Sequence, residues 1–319
     1  MSLTNLQWKS LLESIDEKKC TPFIGAGASS SWLPLARQIA NKWKEDYDYP
    51  LDDYDLARVA QFLAIQNEDE LSPKHILSKE LKKIKPPNFS LEENRNTPYA
   101  VLADLNLPLY ITTNYDYFME EALKSRGKRP VSEFCRWNEK LYNWTNESGI
   151  PSVFDKDNKY EGPIELRYRP RTESYRPTES EPLVYHLHGD LAIHQSMVLT
   201  ESDYIDFVVN LNSESGVLPS IIKQALVSTS LLFIGYSLLD INFRIIFRGI
   251  MNFIGSRYLS SNVAVMLPPK YLSDDKQEHA KQYLKEYTKN MFKVNVFWGD
   301  ASTFSEELRK RLNDSRRQS

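Results

Sequence analysis

The sequence has 319 residues, of which 41% are hydrophobic and 26% charged, and its formal net charge is −3 at pH 7. That length accommodates one large α/β domain, and the balance of residues excludes a disordered chain and a general nucleic-acid binder. Only two cysteines, Cys20 and Cys135, are present, so a four-cysteine zinc module is excluded and a disulfide framework is not expected. No apolar run approaches the ~18 residues that span a bilayer, and the start lacks a signal-peptide core. A cytoplasmic protein with no membrane association is expected.

Leu3, Leu6, Leu11, Leu12 and Ile15 lie among charged residues and predict an amphipathic helix over residues 3–17. A short apolar strand, 20–24, then breaks at Gly25 and Gly27 and is followed by Ser29, Ser30 and Ser31. A strand that turns through glycine into a helix leaves backbone N–H groups open to an anion, and a glycine lets a pyrophosphate approach the main chain. The same glycines would serve equally for turn geometry alone. Helices are predicted over 32–47, 52–66 and 72–84, the last ended by Pro86-Pro87. Thr97-Pro98 predicts a helix start with threonine as the cap.

Residues 108–116 read as a buried strand that ends in Thr112, Thr113, Asn114 and Asp116, with a helix following over 117–124. From 125 to about 182 the periodicity is lost, and Arg167, Arg169, Arg171 and Arg176 cluster among Pro, Tyr and Asn. This stretch predicts an insertion or small subdomain carrying some irregular strand pairs, whose arginines face solvent, a partner or phosphates. Strands return at 183–190, 230–237, 263–267 and 294–298, with helices from Thr200, over 219–228, 241–254, 274–289 and 305–312, and a basic, frayed end. The alternation predicts an α/β fold: a Rossmann-like, mostly parallel sheet flanked by helices. The whole chain, 1–319, is read as a single domain with a helical insertion at about 48–96 and an irregular one at 125–182.

Four strands therefore end in polar or glycine-rich blocks: GAGAS at 25–29, TTNYD at 112–116, HLHGD at 186–190 and FIGYS at 233–237. In an open parallel sheet the ligand crevice lies beyond the carboxyl ends of the strands, so the four blocks are expected to converge on one cleft. Their order and spacing resemble sirtuin-like NAD-binding domains, whose blocks read GAG-x-S, TQN-x-D, HG and G-T/Y-S. The resemblance covers residues 18–300 and is greatest to the prokaryotic branch that hydrolyses NAD in antiphage defence. Two departures matter. The cysteines of a deacylase zinc lobe are missing, and Trp32-Leu33-Pro34-Leu35-Ala36-Arg37 replaces the usual G-I-P-D-F-R.

The resemblance implies cleavage of the nicotinamide–ribose bond of NAD, giving ADP-ribose and nicotinamide without a metal. It assigns Asn114, His188 and Asp116 to catalysis, and Gly25, Ala26, Gly27, Ser29, Thr113, Gly235, Ser237 and Asp240 to binding NAD. Asn114 would position water or a ribose hydroxyl. Asp116 would hold the nicotinamide amide or a ribose hydroxyl. His188, with an ordinary pKa of ~6.5, would take a proton. Alternatives stay open: Asn114 and Asp116 as caps of the next helix, His186 in place of His188, and Ser237 as a plain turn residue. His75, His194 and His279 have no partner pattern and are expected to face solvent. The resemblance further implies a homo-oligomer triggered by a partner, a HerA-type ATPase or else a short Argonaute, with no direct nucleic-acid contact. NAD-dependent deacylation and a non-catalytic nucleotide-binding scaffold for an ATPase are the competing functions.

Overall fold

The protein was analysed as a computed structural model, which describes residues 3–52, 54–148, 152, 175–211, 217–236, 244, 262–269 and 274–318. Seven strands form one sheet: β1 (Cys20–Ile24), β2 (Leu109–Thr112), β3 (Val131–Phe134), β4 (Leu183–His186), β5 (Ser230–Ile234), β6 (Asn262–Met266) and β7 (Val294–Trp298). Their order is β3-β4-β2-β1-β5-β6-β7, and every pairing is parallel. The chain builds one half of the sheet outward from β1, then crosses back to place β5 on its other side. The carboxyl ends of β1 and β5 thus flank the point where strand order reverses, the place where parallel sheets form ligand crevices.

Helices cover both faces, which is why the strands read as continuous apolar runs. On one face lie α1 (Asn5–Asp16), α2 (Ala36–Asp46), α3 (Leu56–Gln66), α4 (Ser72–Leu81), α5 (Pro98–Ala103) and α6 (Phe118–Lys124). The other carries α7 (Glu139–Glu147), α8 (Glu201–Leu211), α9 (Ser220–Ser228) and α10 (Asp274–Phe292), while α11 (Ala301–Gln318) returns to the first. Along β1, Ile24 enters the first core and Phe23 the second; Leu232 and Phe233 of β5 divide in the same way. Trp8 of α1 stacks on Phe304 of α11 at 5.5 Å, closing the sheet against the two terminal helices.

Several elements differ from expectation. Helix α2 starts at Ala36 and not at 32, because Pro34 blocks helical geometry in the residue before it. Thr97 takes the N-cap position of α5 with Pro98 next to it, as expected, but its hydroxyl donates to the Asn94 carbonyl and accepts no helix amide. Strand β3 falls inside the stretch expected to carry irregular strand pairs, while helix α7 was not expected there. The basic end is helical to Gln318, held where Arg309 pairs with Asp104 at 2.6 Å. His75 and His194, expected without partners, pack edge to face at 4.4 Å. Arg167, Arg169, Arg171, Ser237, Asp240 and nearly all of the helix predicted at 241–254 lie outside the described residues. Both cysteines are free and buried, and burial raises each thiol pKa to about 12. No helix among the described residues is long and apolar enough to cross a membrane.

Candidate active site at the strand ends

The end of β1 ties its neighbours together. The Ile24 carbonyl accepts the Thr113 amide at 3.0 Å from the β2 side and the Tyr236 hydroxyl at 2.8 Å from the β5 side. Tyr236 is in turn 2.7 Å from the Thr113 hydroxyl. Gly235 has φ +83°, a conformation that disfavours any side chain, and a Cβ there would lie 2.4 Å from the Ala28 nitrogen. A Cβ on Gly25 or Gly27 would meet Gly235 at 2.8 or 2.9 Å. On the side where a Cβ would project, both glycines are therefore packed against the β5 loop. The amides of Gly25, Gly27, Ala28 and Ser29 all donate within the protein. The turn is a packing joint between β1 and β5, and Ala26 is its exposed residue at the cavity.

Beyond these strand ends lies a cavity of about 420 Å³, lined among others by Ala26, Thr113, Asn114, Asp116, His188 and Gly235. All four sequence blocks thus border one space, the last through Gly235 and Tyr236. Gly25 and Gly27 stand behind its wall. The TTNYD and HLHGD blocks are joined through Val198, whose amide donates to the His188 carbonyl at 2.9 Å and whose carbonyl accepts the Tyr115 hydroxyl at 2.6 Å. Gly189, at φ +92°, makes the turn after His188, where a Cβ would strike the Ser196 carbonyl.

Asn114 is buried and its amide orientation is determined. The side-chain nitrogen lies 3.2 Å from the Gly25 carbonyl, 3.1 Å from the Ser29 hydroxyl and 3.1 Å from the Tyr99 hydroxyl. A carbonyl only accepts, so nitrogen must face Gly25. The amide oxygen is left as the polar atom presented to the cavity. Ser29 and Tyr99 are themselves 2.6 Å apart, and Ser29 donates to Asp116 at 3.2 Å. Ser29 thus belongs to the network that holds Asn114.

Asp116 accepts the Phe118 amide at 2.9 Å, so it does serve the start of α6 as one alternative held. It also lines the cavity. Burial is the main reason its pKa is raised to about 6, with Glu120 adding to the rise. A carboxyl of that strength changes charge close to neutrality.

The two neighbouring histidines take opposite roles. His186 is wholly buried, with Nε2 2.8 Å from Glu120 and Nδ1 3.1 Å from the Asn114 carbonyl. Burial alone would lower its pKa, but the charge and hydrogen bond of Glu120 hold it up at about 9. Glu120 is held below the ordinary carboxylate value by His186 and by the Ser132 hydroxyl at 2.7 Å, against the upward pull of burial. His188 lies edge-on to the rings of Tyr204 and Phe207. Burial lowers its pKa to about 3, and its Nε2 is buried without a hydrogen-bond partner. The ordinary pKa expected for His188 is therefore not what the fold provides: the ring is neutral at pH 7 with an unused nitrogen.

Tyr99, Tyr236 and Glu120 shape this site without having been assigned to it from sequence, and His186, weighed there only in place of His188, shapes it from behind the sheet end. Tyr236 stands inside the FIGYS block, and His186 inside HLHGD, so position in a block was the available signal. Tyr99 and Glu120 lie on helices where an aromatic or acidic residue carries no such mark. Among the described residues no group of three His, Cys, Asp or Glu side chains gathers as metal ligands.

NAD(+) hydrolase ThsA of Cytobacillus dafuensis is 26% identical over 238 residues, covering 73% of this chain and 38% of that protein. The proteins of the same name from Bacillus cereus (strain MSX-D12) and Enterococcus faecium are 23% and 24% identical over 239 residues, each covering 73% of this chain and 40% of theirs. The chain thus spans about two fifths of the length of these relatives. The SIR2-like domain family matches residues 108–291, more than half of the sequence. The chain belongs to the SIR2-like domain family.

Proposed function

We propose that the chain is an NAD hydrolase that cleaves the nicotinamide–ribose bond to give nicotinamide and ADP-ribose. The observation that carries this reading is the meeting of Asn114, Asp116 and His188 on one cavity at the sheet's reversal point. The similarity to proteins named NAD(+) hydrolase supports it.

Cleavage of a glycosidic C–N bond builds positive charge on the anomeric carbon. In this reading the Asn114 amide oxygen accepts from the attacking water and orients a lone pair at that carbon. Asp116, ionised above about pH 6, sets a negative charge beside the developing cation. His188 is neutral, so its ring accepts a hydrogen bond from the water or a ribose hydroxyl, and the proton released by hydrolysis passes to solvent. The Ala26 amide and the Thr113 and Gly235 loops then meet the diphosphate and adenosine end, together with Ser237 and Asp240. Metal has no part in these steps.

The biological setting belongs to the same proposal. The chain acts in the cytoplasm as the effector of a bacterial antiphage system, as a homo-oligomer released by a partner, a HerA-type ATPase before a short Argonaute. The test is nicotinamide release from NAD by the purified chain, alone and with the product of its neighbouring gene, with and without an acylated peptide. Release without peptide, lost in Asn114→Ala, is the expected result. Strict dependence on peptide would instead identify a deacylase, and no release under any condition a scaffold.

A further inference from the structure

Helix α4, part of the helical insertion expected from the sequence, is docked on the segment that follows His188. Three of its residues make the contact. Lys74 Nζ pairs with Asp203 at 2.8 Å, the rings of His75 and His194 meet edge to face at 4.4 Å, and the Ser78 hydroxyl donates to the Leu191 carbonyl at 3.0 Å. Leu77 and Leu81 of the same helix line the cavity beside His188. Positions 74, 77, 78 and 81 recur at helical spacing, so one face of α4 serves both the docking and the cavity wall.

Lys74 is the unusual member of this face. Its side chain is only 4% exposed, with the ammonium 5.9 Å from the centre of the Trp137 ring and Asp203 as its counter-ion. A lysine is rarely buried so far unless it is paired. Asp203 is committed as well: its second oxygen accepts the Leu199 and Thr200 amides at 3.1 and 2.9 Å, which sets the first turn of α8. The next residue, Tyr204, and Phe207 beyond it supply the rings that lie against His188. Apolar side chains of similar size would pack two helices at least as well as a buried ion pair. What the pair adds is a single register between α4 and α8.

We propose that Lys74 is a positioning residue: its ion pair with Asp203, backed by the Ser78 hydrogen bond, seats α4 against the start of α8 and thereby fixes the His188 ring at the cavity. The role rests on the reading of His188 as a group of the reaction. It makes the helical insertion a working wall of the site.

The test variant is Lys74→Met with Asp203→Asn, which removes both charges and keeps an amide oxygen for the Leu199 and Thr200 N–H groups. Histidine ring signals in two-bond proton–nitrogen spectra are read beside nicotinamide release. His188 is assigned from its loss in His188→Gln, and His279, on α10, is the reference. The His188 signals are expected to shift and kcat to fall about tenfold, with KM changed less than about twofold. Unmoved His188 signals overturn the proposal, whatever the melting temperature of the variant. Shifted signals with unchanged kcat uphold the seating and remove His188 from the reaction. No release by the native chain overturns the functional reading, and the ring signals still decide the seating. Should the double variant not fold, Ser78→Ala cuts the second link between α4 and the segment. It is expected to shift the same signals and lower kcat about two- to fourfold, and His188 signals that stay in place overturn the proposal.

Discussion

His186 joins Glu120 to Asn114: its Nε2 lies 2.8 Å from the carboxylate and its Nδ1 3.1 Å from the Asn114 backbone carbonyl. Both partners can only accept, so both ring nitrogens carry protons and the ring is an imidazolium. A buried ion pair behind the sheet end therefore holds the peptide of the asparagine assigned to catalysis. This bears directly on the choice between the two histidines. His186 is fully engaged, whereas His188 lines the cavity and its buried Nε2 has no hydrogen-bond partner.

Removing the charge of Glu120 leaves His186 without its counter-ion in the core. Glu120→Gln is expected to destabilise the protein by about 3–5 kcal/mol at pH 7, the scale for breaking a buried pair. Urea denaturation measures it; a loss under about 1 kcal/mol would show that the pair does not hold this region together.

Stability should fall on both sides of neutrality. The His186 pKa is raised to about 9, so its contribution is complete below pH 6.5 and is lost as pH rises through 9. The His188 pKa is lowered to about 3, so its contribution is complete above 6.5 and is lost as pH falls towards 3. Glu120, also lowered, adds to the acid loss. Asp116, raised to about 6, contributes below 3.8 and opposes that loss, but its displacement is smaller than that of His188. Urea midpoints from pH 4 to 10 are expected to peak near pH 6–7, and His188→Gln should flatten the acid side.

The pH dependence of activity separates Asp116 from His188. Asp116 is half-ionised at about pH 6, so kcat/KM should rise through that pH and level above it. His188, at about 3, adds no step there. The acid limb is expected to disappear in Asp116→Asn and to survive in His188→Gln, at whatever activity each retains.

Tyr99 holds the Asn114 amide without reaching the substrate. Tyr99→Phe removes one of the three acceptors around the Asn114 nitrogen. It is expected to lower kcat about tenfold while KM changes less than twofold, the pattern of lost orientation in the transition state. Equal changes in both would assign Tyr99 to binding instead.

Gly235→Ala tests the joint between β1 and β5. With φ at +83° and a Cβ 2.4 Å from the Ala28 nitrogen, the variant is expected to lose at least about 2 kcal/mol. Its Tm is the readout, and wild-type stability would contradict the packing role given to these glycines.

The central strands were legible because both faces of a parallel strand are buried, so 20–24, 109–112 and 230–234 appear as apolar runs. Strand β3 was not, since Ser132 and Glu133 interrupt its four residues; they are buried because Ser132 meets Glu120 and Glu133 meets Arg136 at 2.7 Å. The partner of Ser132 stands 12 residues away and gives no local pattern. The same holds at the site. Asn114, Asp116 and His188 follow strands and stand out as polar breaks, while Tyr99 acts through a contact 15 residues from Asn114. The pKa of His188 was also out of reach, because it is set by Tyr204 and Phe207 packing against the ring. The glycines were seen, but their purpose was visible only once β5 lay beside β1.

The most direct measurement is the crystal structure of the His188→Ala variant with NAD bound. The account predicts the nicotinamide-bearing ribose in the cavity, its anomeric carbon within about 5 Å of the Asn114 amide oxygen, room for one bridging water. NAD bound with that carbon away from Asn114, or bound at another surface, would contradict it.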